Sequence, residues 1–353
     1  KQRAVFNSVL GISWFWFLGT ALTAQLPVYA EANLGGGPEL YLVALAVFSV
    51  GTAIGSLLCE KLSARTVEIG LVPLGAFGMS VFLFALSFAR TEPATVHGLH
   101  LAEYLHQPGA WRVPAALAGI GVFAGFYVVP LFALIQSRTP KRELSRVIAG
   151  MNIQNALLIV LAAVAGIATQ RWFGWTIPQV FLALAIANTL AAAWIFTIVP
   201  EFLMRFLSWV LVRTLYKLRA QGIEEHVPDE GPALIVCNHV SYMDALILAG
   251  SLPRPVRFVM YYKIFDIPVM RWIFRTAKAI PIAGARENPE LMQRAFDAVD
   301  QALADGELVC IFPEGALTKD GAIAPFKSGI ERILQRREVK VVPMALRGMW
   351  TSM

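Results

Sequence analysis

Apolar positions fall into two patterns along this chain. Up to about residue 200 they run together in long blocks. Residues 6–28, 41–59, 69–89, 114–136, 147–169 and 178–199 each approach the roughly 20 residues that a helix needs to cross a bilayer core. None of the six contains Lys, Arg, Asp or Glu. Six blocks in succession predict six transmembrane helices. Beyond residue 230 the runs shorten to strand length and alternate with amphipathic stretches. Residues 233–237, 256–260, 279–282, 307–312 and 339–344 predict strands. Residues 241–249, 268–278, 289–304 and 326–336 predict helices. Such alternation predicts a central sheet flanked by helices.

Between the two regimes, Phe202, Leu203, Phe206, Trp209, Val210 and Leu211 mix with Arg205, Arg213, Lys217 and Arg219. This mixture predicts a helix lying in the membrane interface with its cations toward headgroups. The turn-forming residues Pro228, Asp229, Gly231 and Pro232 mark a boundary after it. The expected organisation is therefore multidomain. A six-helix all-α transmembrane bundle occupies residues 1–200, an interfacial amphipathic helix and linker 201–226, and an α/β domain with a central sheet 227–353. The start at Lys1-Gln2-Arg3 without Met, and the stop at Met353 soon after the last strand, read as cuts through a longer protein.

Charge sharpens this division. Of 353 residues, 57% are hydrophobic and 15% charged, against about 25% charged in soluble domains. Residues 1–200 contain no Asp at all. Lys and Arg collect at the start, after the second and fourth blocks and after the sixth, so the start and the C-terminal domain are expected in the cytoplasm. The net charge of +6 goes with anionic lipid rather than nucleic acid in so apolar a chain. Cys59, Cys237 and Cys310 show no pairing or zinc spacing. Gly51/Gly55 and Gly121/Gly125 stand at i, i+4 and suit close helix packing. Asn152 and Asn155, polar within the fifth block, either line a transport path or bond to a neighbouring helix.

Candidate chemistry gathers after two strands. Asn238-His239-Val240-Ser241-Tyr242-Met243-Asp244 follows the first. The spacing lets Asp244 fold back on one imidazole nitrogen and leaves the other as a general base. Equally, Ser241 or Asp244 could simply cap a helix. Phe312-Pro313-Glu314-Gly315 follows the fourth strand. Ligands of open α/β sheets bind beyond the carboxyl ends of strands, so both segments can converge. Glu314 could accept a glycerol hydroxyl or orient a phosphate-binding cation, or serve only a turn. Lys327, in Pro325-Phe326-Lys327-Ser328-Gly329, enters a helix and suits an anion.

These motifs, with Val342-Pro343-Met344, occur in the order and spacing of the glycerolipid acyltransferases, and residues 215–350 resemble that family. The resemblance implies His239 as general base, Asp244 as its orienting partner, and Glu314 with Gly315 at the acceptor. It implies an acyl-carrier-protein or coenzyme A thioester as donor, with neither metal nor cofactor. Where the family holds a phosphate-binding Arg, this chain has Ala283-Gly284-Ala285, with Arg286 slightly late. Residues 1–200 resemble the C-terminal half of a major facilitator superfamily transporter, on Met151–Ala156 and the Pro200-Glu201-Phe202 exit. Together they resemble bacterial lysophospholipid transporter–acyltransferase fusions of the inner membrane. That implies acylation of a lysophospholipid coupled to its transport. The alternatives are a membrane-anchored 1-acylglycerol-3-phosphate acyltransferase, and a transporter with a non-catalytic lipid-binding domain.

Overall fold

The computed structural model describes residues 2–63, 69–90, 92–198, 200–318 and 320–349. They form two compact units, divided between Val199 and Pro200.

The first unit is helical: α1 (Gln2–Thr23), α2 (Leu26–Ala32), α3 (Pro38–Ser63), α4 (Leu71–Ser87), α5 (Leu101–Leu105), α6 (Arg112–Arg138), α7 (Lys141–Arg171) and α8 (Ile177–Ile198). Among the described residues, five spans are long and apolar enough to cross a membrane. The third expected span falls short of that length, because α4 has 17 residues. The glycine pairs act where α3 meets α6. A Cβ on Gly51 would stand 2.6 Å from the Ala118 carbonyl oxygen, and one on Gly121 2.8 Å from the Thr52 nitrogen. Only glycine permits so close a backbone approach.

Polar groups in this unit bond to one another, as an apolar environment demands. Ser13 Oγ donates to Asn155 Oδ1 at 2.7 Å, tying α1 to α7. Asn155 is buried in that bond, which joins two helices. Asn152, one turn earlier, is exposed. The larger polar hub is Asn188, to which the sequence reading gave no role. It accepts from Trp14 Nε1 and donates to the Ala76 carbonyl and Ser80 Oγ, joining α8 to α1 and α4.

The second unit opens with α9 (Pro200–Leu215) and α10 (Ile223–His226). The strands β1 (Ala233–Cys237), β2 (Val256–Tyr261), β3 (Ile280–Ile282), β4 (Leu308–Ile311) and β5 (Lys340–Met344) alternate with α11 (Asp244–Ser251), α12 (Pro268–Thr276), α13 (Pro289–Ala304) and α14 (Gly329–Arg336). A short 3-10 helix, Tyr262–Asp266, joins β2 to α12. The sheet is parallel, in the order β3-β2-β4-β1-β5. Central strands buried on both faces need unbroken apolar runs, and Ala233–Cys237 is buried throughout. Its pleat splits the core. Ala233, Ile235 and Cys237 pack with Leu248 and Leu252, whereas Leu234 and Val236 pack with Phe296 and Val299 of α13.

Helix α9 forms within the segment expected as an interfacial helix. It packs on α11 within the second unit, and a Cβ on Gly250 would lie 2.9 Å from the Ser208 carbonyl oxygen. Arg205, expected toward headgroups, is buried and donates to the Leu252 carbonyl at 2.8 Å, just past the end of α11. Helix ends leave such carbonyls without intrahelical donors. Burial lowers the Arg205 guanidinium to about 10.

Candidate active site

All five strands run the same way, so the segments after β1 and β4 leave the sheet at one edge, side by side. The chain turns sharply after Cys237. Asn238 fixes that turn: it donates to the Leu346 carbonyl at 3.1 Å and accepts the Leu346 N–H at 2.8 Å. Asp244 then begins α11 and points back into the loop. Its Oδ2 accepts the Val240 N–H at 2.7 Å, the Ser241 N–H at 2.9 Å and His239 Nδ1–H at 2.9 Å. A carboxylate only accepts, so this contact places the imidazole proton on Nδ1 and leaves Nε2 able to take another. Asp244 thus caps the turn and orients the ring through one oxygen atom. Its side chain is fully buried, while that of His239 retains 23% of its exposure.

Three further contacts hold His239. Its ring stacks on Phe312, with centroids 4.2 Å apart and planes 19° apart, and Phe312 stacks in turn on Phe258 at 6.4 Å. The sequence reading gave Phe312 no such role, since only the pairing of β4 beside β1 sets the rings against each other. The His239 backbone is clamped as well. Its N–H donates to Glu314 Oε1 at 2.8 Å, and its carbonyl accepts the Thr318 N–H at 2.9 Å.

Glu314 is buried, and its second oxygen accepts the Ala324 N–H at 2.8 Å. Both oxygens therefore hold backbone amides. In this arrangement Glu314 is a brace between the His239 turn and the following loop. Gly315 has φ 66°, a left-handed conformation that favours glycine. The Lys327 side chain lies across it, and its Nζ donates to the Gly315 carbonyl at 3.4 Å. Lys327 precedes α14, which starts at Gly329 and not at Phe326 as expected. The structure thus brings together His239, Asp244, Glu314, Gly315 and Lys327. Arg286 is exposed on the turn after β3, and the space where a Gly284 side chain would project is open.

Burial pushes the Cys237 thiol up to about 12 and the Cys310 thiol well above its usual value. Neither is an activated nucleophile. Among the described residues, no three of His, Cys, Asp and Glu gather closely enough to hold a metal ion.

A parallel α/β unit with an oriented His–Asp pair at its carboxyl edge matches what the comparisons find. Residues 219–347 match the Acyltransferase family. The C-terminal unit is similar in sequence to proteins named as 1-acyl-sn-glycerol-3-phosphate acyltransferases. A chloroplastic enzyme of that name from Brassica napus is 31% identical over 150 residues, covering 42% of this chain and 42% of that protein. One from Arabidopsis thaliana is 29% identical over 148 residues, covering 42% and 41%. The lysophosphatidylcholine acyltransferase of Drosophila melanogaster is 36% identical over 103 residues, covering 28% and 19%. The chain thus spans about two fifths of the length of the two plant relatives. No solved structure matches, and the half-transporter fold expected for the first unit gains no support from one.

Proposed function

We propose that the second unit transfers an acyl chain from a coenzyme A or acyl-carrier-protein thioester to the free glycerol hydroxyl of a 1-acylglycerol 3-phosphate. The observation that carries this reading is the His239 Nδ1–Asp244 Oδ2 contact of 2.9 Å, which leaves Nε2 as a base. The hydroxyl oxygen attacks the thioester carbonyl carbon while Nε2 takes its proton. The tetrahedral intermediate collapses, the C–S bond breaks, and the imidazolium gives its proton to the leaving sulfur, which departs as the free thiol and restores the base. Asp244 holds the ring and stabilises the imidazolium between the two transfers. The names of the relatives favour this membrane-anchored acyltransferase over the reading coupled to lysophospholipid transport, since those quoted are acyltransferases.

One observation favours a second acceptor, a lysophospholipid that carries a headgroup. A phosphate monoester dianion benefits from a bidentate Arg. Ala283-Gly284-Ala285 provides none, and the open space at Gly284 leaves room for a larger group. Initial rates with lysophosphatidic acid, lysophosphatidylethanolamine and lysophosphatidylglycerol at equal surface concentration separate the two. Preference for lysophosphatidic acid, lost in Arg286→Ala, supports the first acceptor. Preference for a headgroup lipid, kept in Arg286→Ala, supports the second. No transfer to any acceptor from either thioester overturns the enzymatic reading.

A further inference from the structure

Acyl transfer needs His239 Nε2 to point at the acceptor hydroxyl, and one hydrogen bond does not fix that direction. The Nδ1–H bond to Asp244 Oδ2 holds one edge of the ring at 2.9 Å. The imidazole can still turn about that line. Rotation about the histidine Cβ–Cγ bond is broad, without the sharp staggered wells of an aliphatic side chain, so rotamer preference does not set the ring plane either. Contact with the face of the ring has to set it.

That contact is Phe312, whose ring lies 4.2 Å from the imidazole between centroids and 19° from it in plane. Phe312 follows β4 and is only half-buried, so its own plane needs support. Phe258 on β2 supplies it, with centroids 6.4 Å apart and planes 11° apart, an offset stack. The three rings form one column across the neighbouring strands β2, β4 and β1 or their exits. Sheet register builds the column. Phe258 stands opposite Cys310 in the β2–β4 pair, and Phe312 follows Cys310 by two residues, on the same face. Phe258 is 6% exposed and lies in the core with Cys310, Leu248 and Leu252. At interior packing density such a ring has little freedom to tilt. Core packing alone would be met at 258 by any apolar residue of similar volume. Near-parallel planes along the whole column need a ring there.

We infer that Phe258 is a positioning residue for acyl transfer: it sets the plane of Phe312 and, through it, the direction of His239 Nε2. Its effect on rate rests on the acyl-transfer reading. The column also serves the charged step. When Nε2 takes the hydroxyl proton, the imidazolium faces Phe312 within the 6 Å or so at which an aromatic face attracts a cation.

The test uses the full chain in detergent micelles, with its histidines labelled with carbon-13 at Cε1. The chain has five histidines, and the resonance lost in His239→Gln is that of His239. The aromatic ring current of Phe312 shifts a stacked Cε1–H upfield. Phe258→Leu is expected to move this resonance toward those of the other histidines, all of which are exposed. It should also lower kcat about tenfold, less than the roughly 10²-fold that a misplacement of about 1 Å can cost. The acceptor KM should be unchanged. Phe258→Met fills the space without a ring and should do the same. Val256→Ala removes apolar volume from the same strand and the same core but no ring, so it should lose thermal stability and keep both the resonance and kcat. An unmoved resonance with parental kcat in the Leu and Met variants overturns the inference. Val256→Ala also overturns it by lowering kcat as far as Phe258→Leu at equal loss of Tm, because the effect is then one of core stability. The resonance needs no turnover, so failure of the column and failure of the acyl-transfer reading show separately.

Discussion

Glu314 accepts the backbone N–H of His239 at 2.8 Å across 75 residues of chain. The strand pair β1–β4 makes this possible, because parallel neighbours release their following loops at the same edge. One consequence is that the imidazole is positioned from two directions: Asp244 sets its ring and Glu314 its backbone.

His239→Ala is expected to reduce acyl transfer by about 10²–10⁴-fold, the usual contribution of a positioned base. The ring is partly exposed and lies in the loop after β1, so the protein should remain folded. Turnover with an acyl thioester and a lysophospholipid, together with an unchanged thermal unfolding profile, is the check. Activity near the parent level would remove His239 from the mechanism.

Asp244 has two duties, and two substitutions separate them. Asp244→Asn keeps an oxygen for the amides of Val240 and Ser241 but loses the charge beside the imidazole. A large fall in kcat with little change in thermal stability is expected. Asp244→Ala leaves those buried amides unsatisfied, at a cost of about 1–3 kcal/mol each. It should therefore lose stability as well as activity. Equal stability of the two variants would show that the capping bonds contribute nothing.

Glu314→Gln tests the brace. An amide offers one acceptor oxygen, so its NH2 group would face either the His239 or the Ala324 N–H, donor against donor. A lower kcat at nearly unchanged acceptor KM is expected, because the base is displaced while the acceptor site is not. Selective weakening of acceptor KM would instead return Glu314 to direct contact with substrate.

Cys237 and Cys310 should resist alkylation. A thiol at about 12 is almost wholly protonated at pH 7.5, and both side chains are buried. Acyl transfer is expected to be insensitive to N-ethylmaleimide over an hour, with both cysteines modified once the protein is unfolded. Mass spectrometry of digests reads the result. Rapid inactivation with modification at Cys237 would contradict it.

The strands and most helices of the second unit were legible because their signal is local: apolar runs of strand length between turn residues, then amphipathic segments. The long apolar helices were legible for the same reason, length alone separating them from strands. His239 and Asp244 could be paired in advance because six consecutive residues of one turn carry both. What the sequence left open depends on contacts between distant segments. Whether Asn155 lined a path or met another helix depended on Ser13 lying opposite. Whether Arg205 faced headgroups or a carbonyl depended on α9 packing against α11. The bracing of His239 by Glu314 and its stacking on Phe312 required the strand order β3-β2-β4-β1-β5, which no single segment encodes. Local patterns follow from each residue's own preference for water or apolar surroundings and are written along the chain. The partners of buried polar groups are settled only when folding removes water and each donor must find the acceptor that packing has brought within reach.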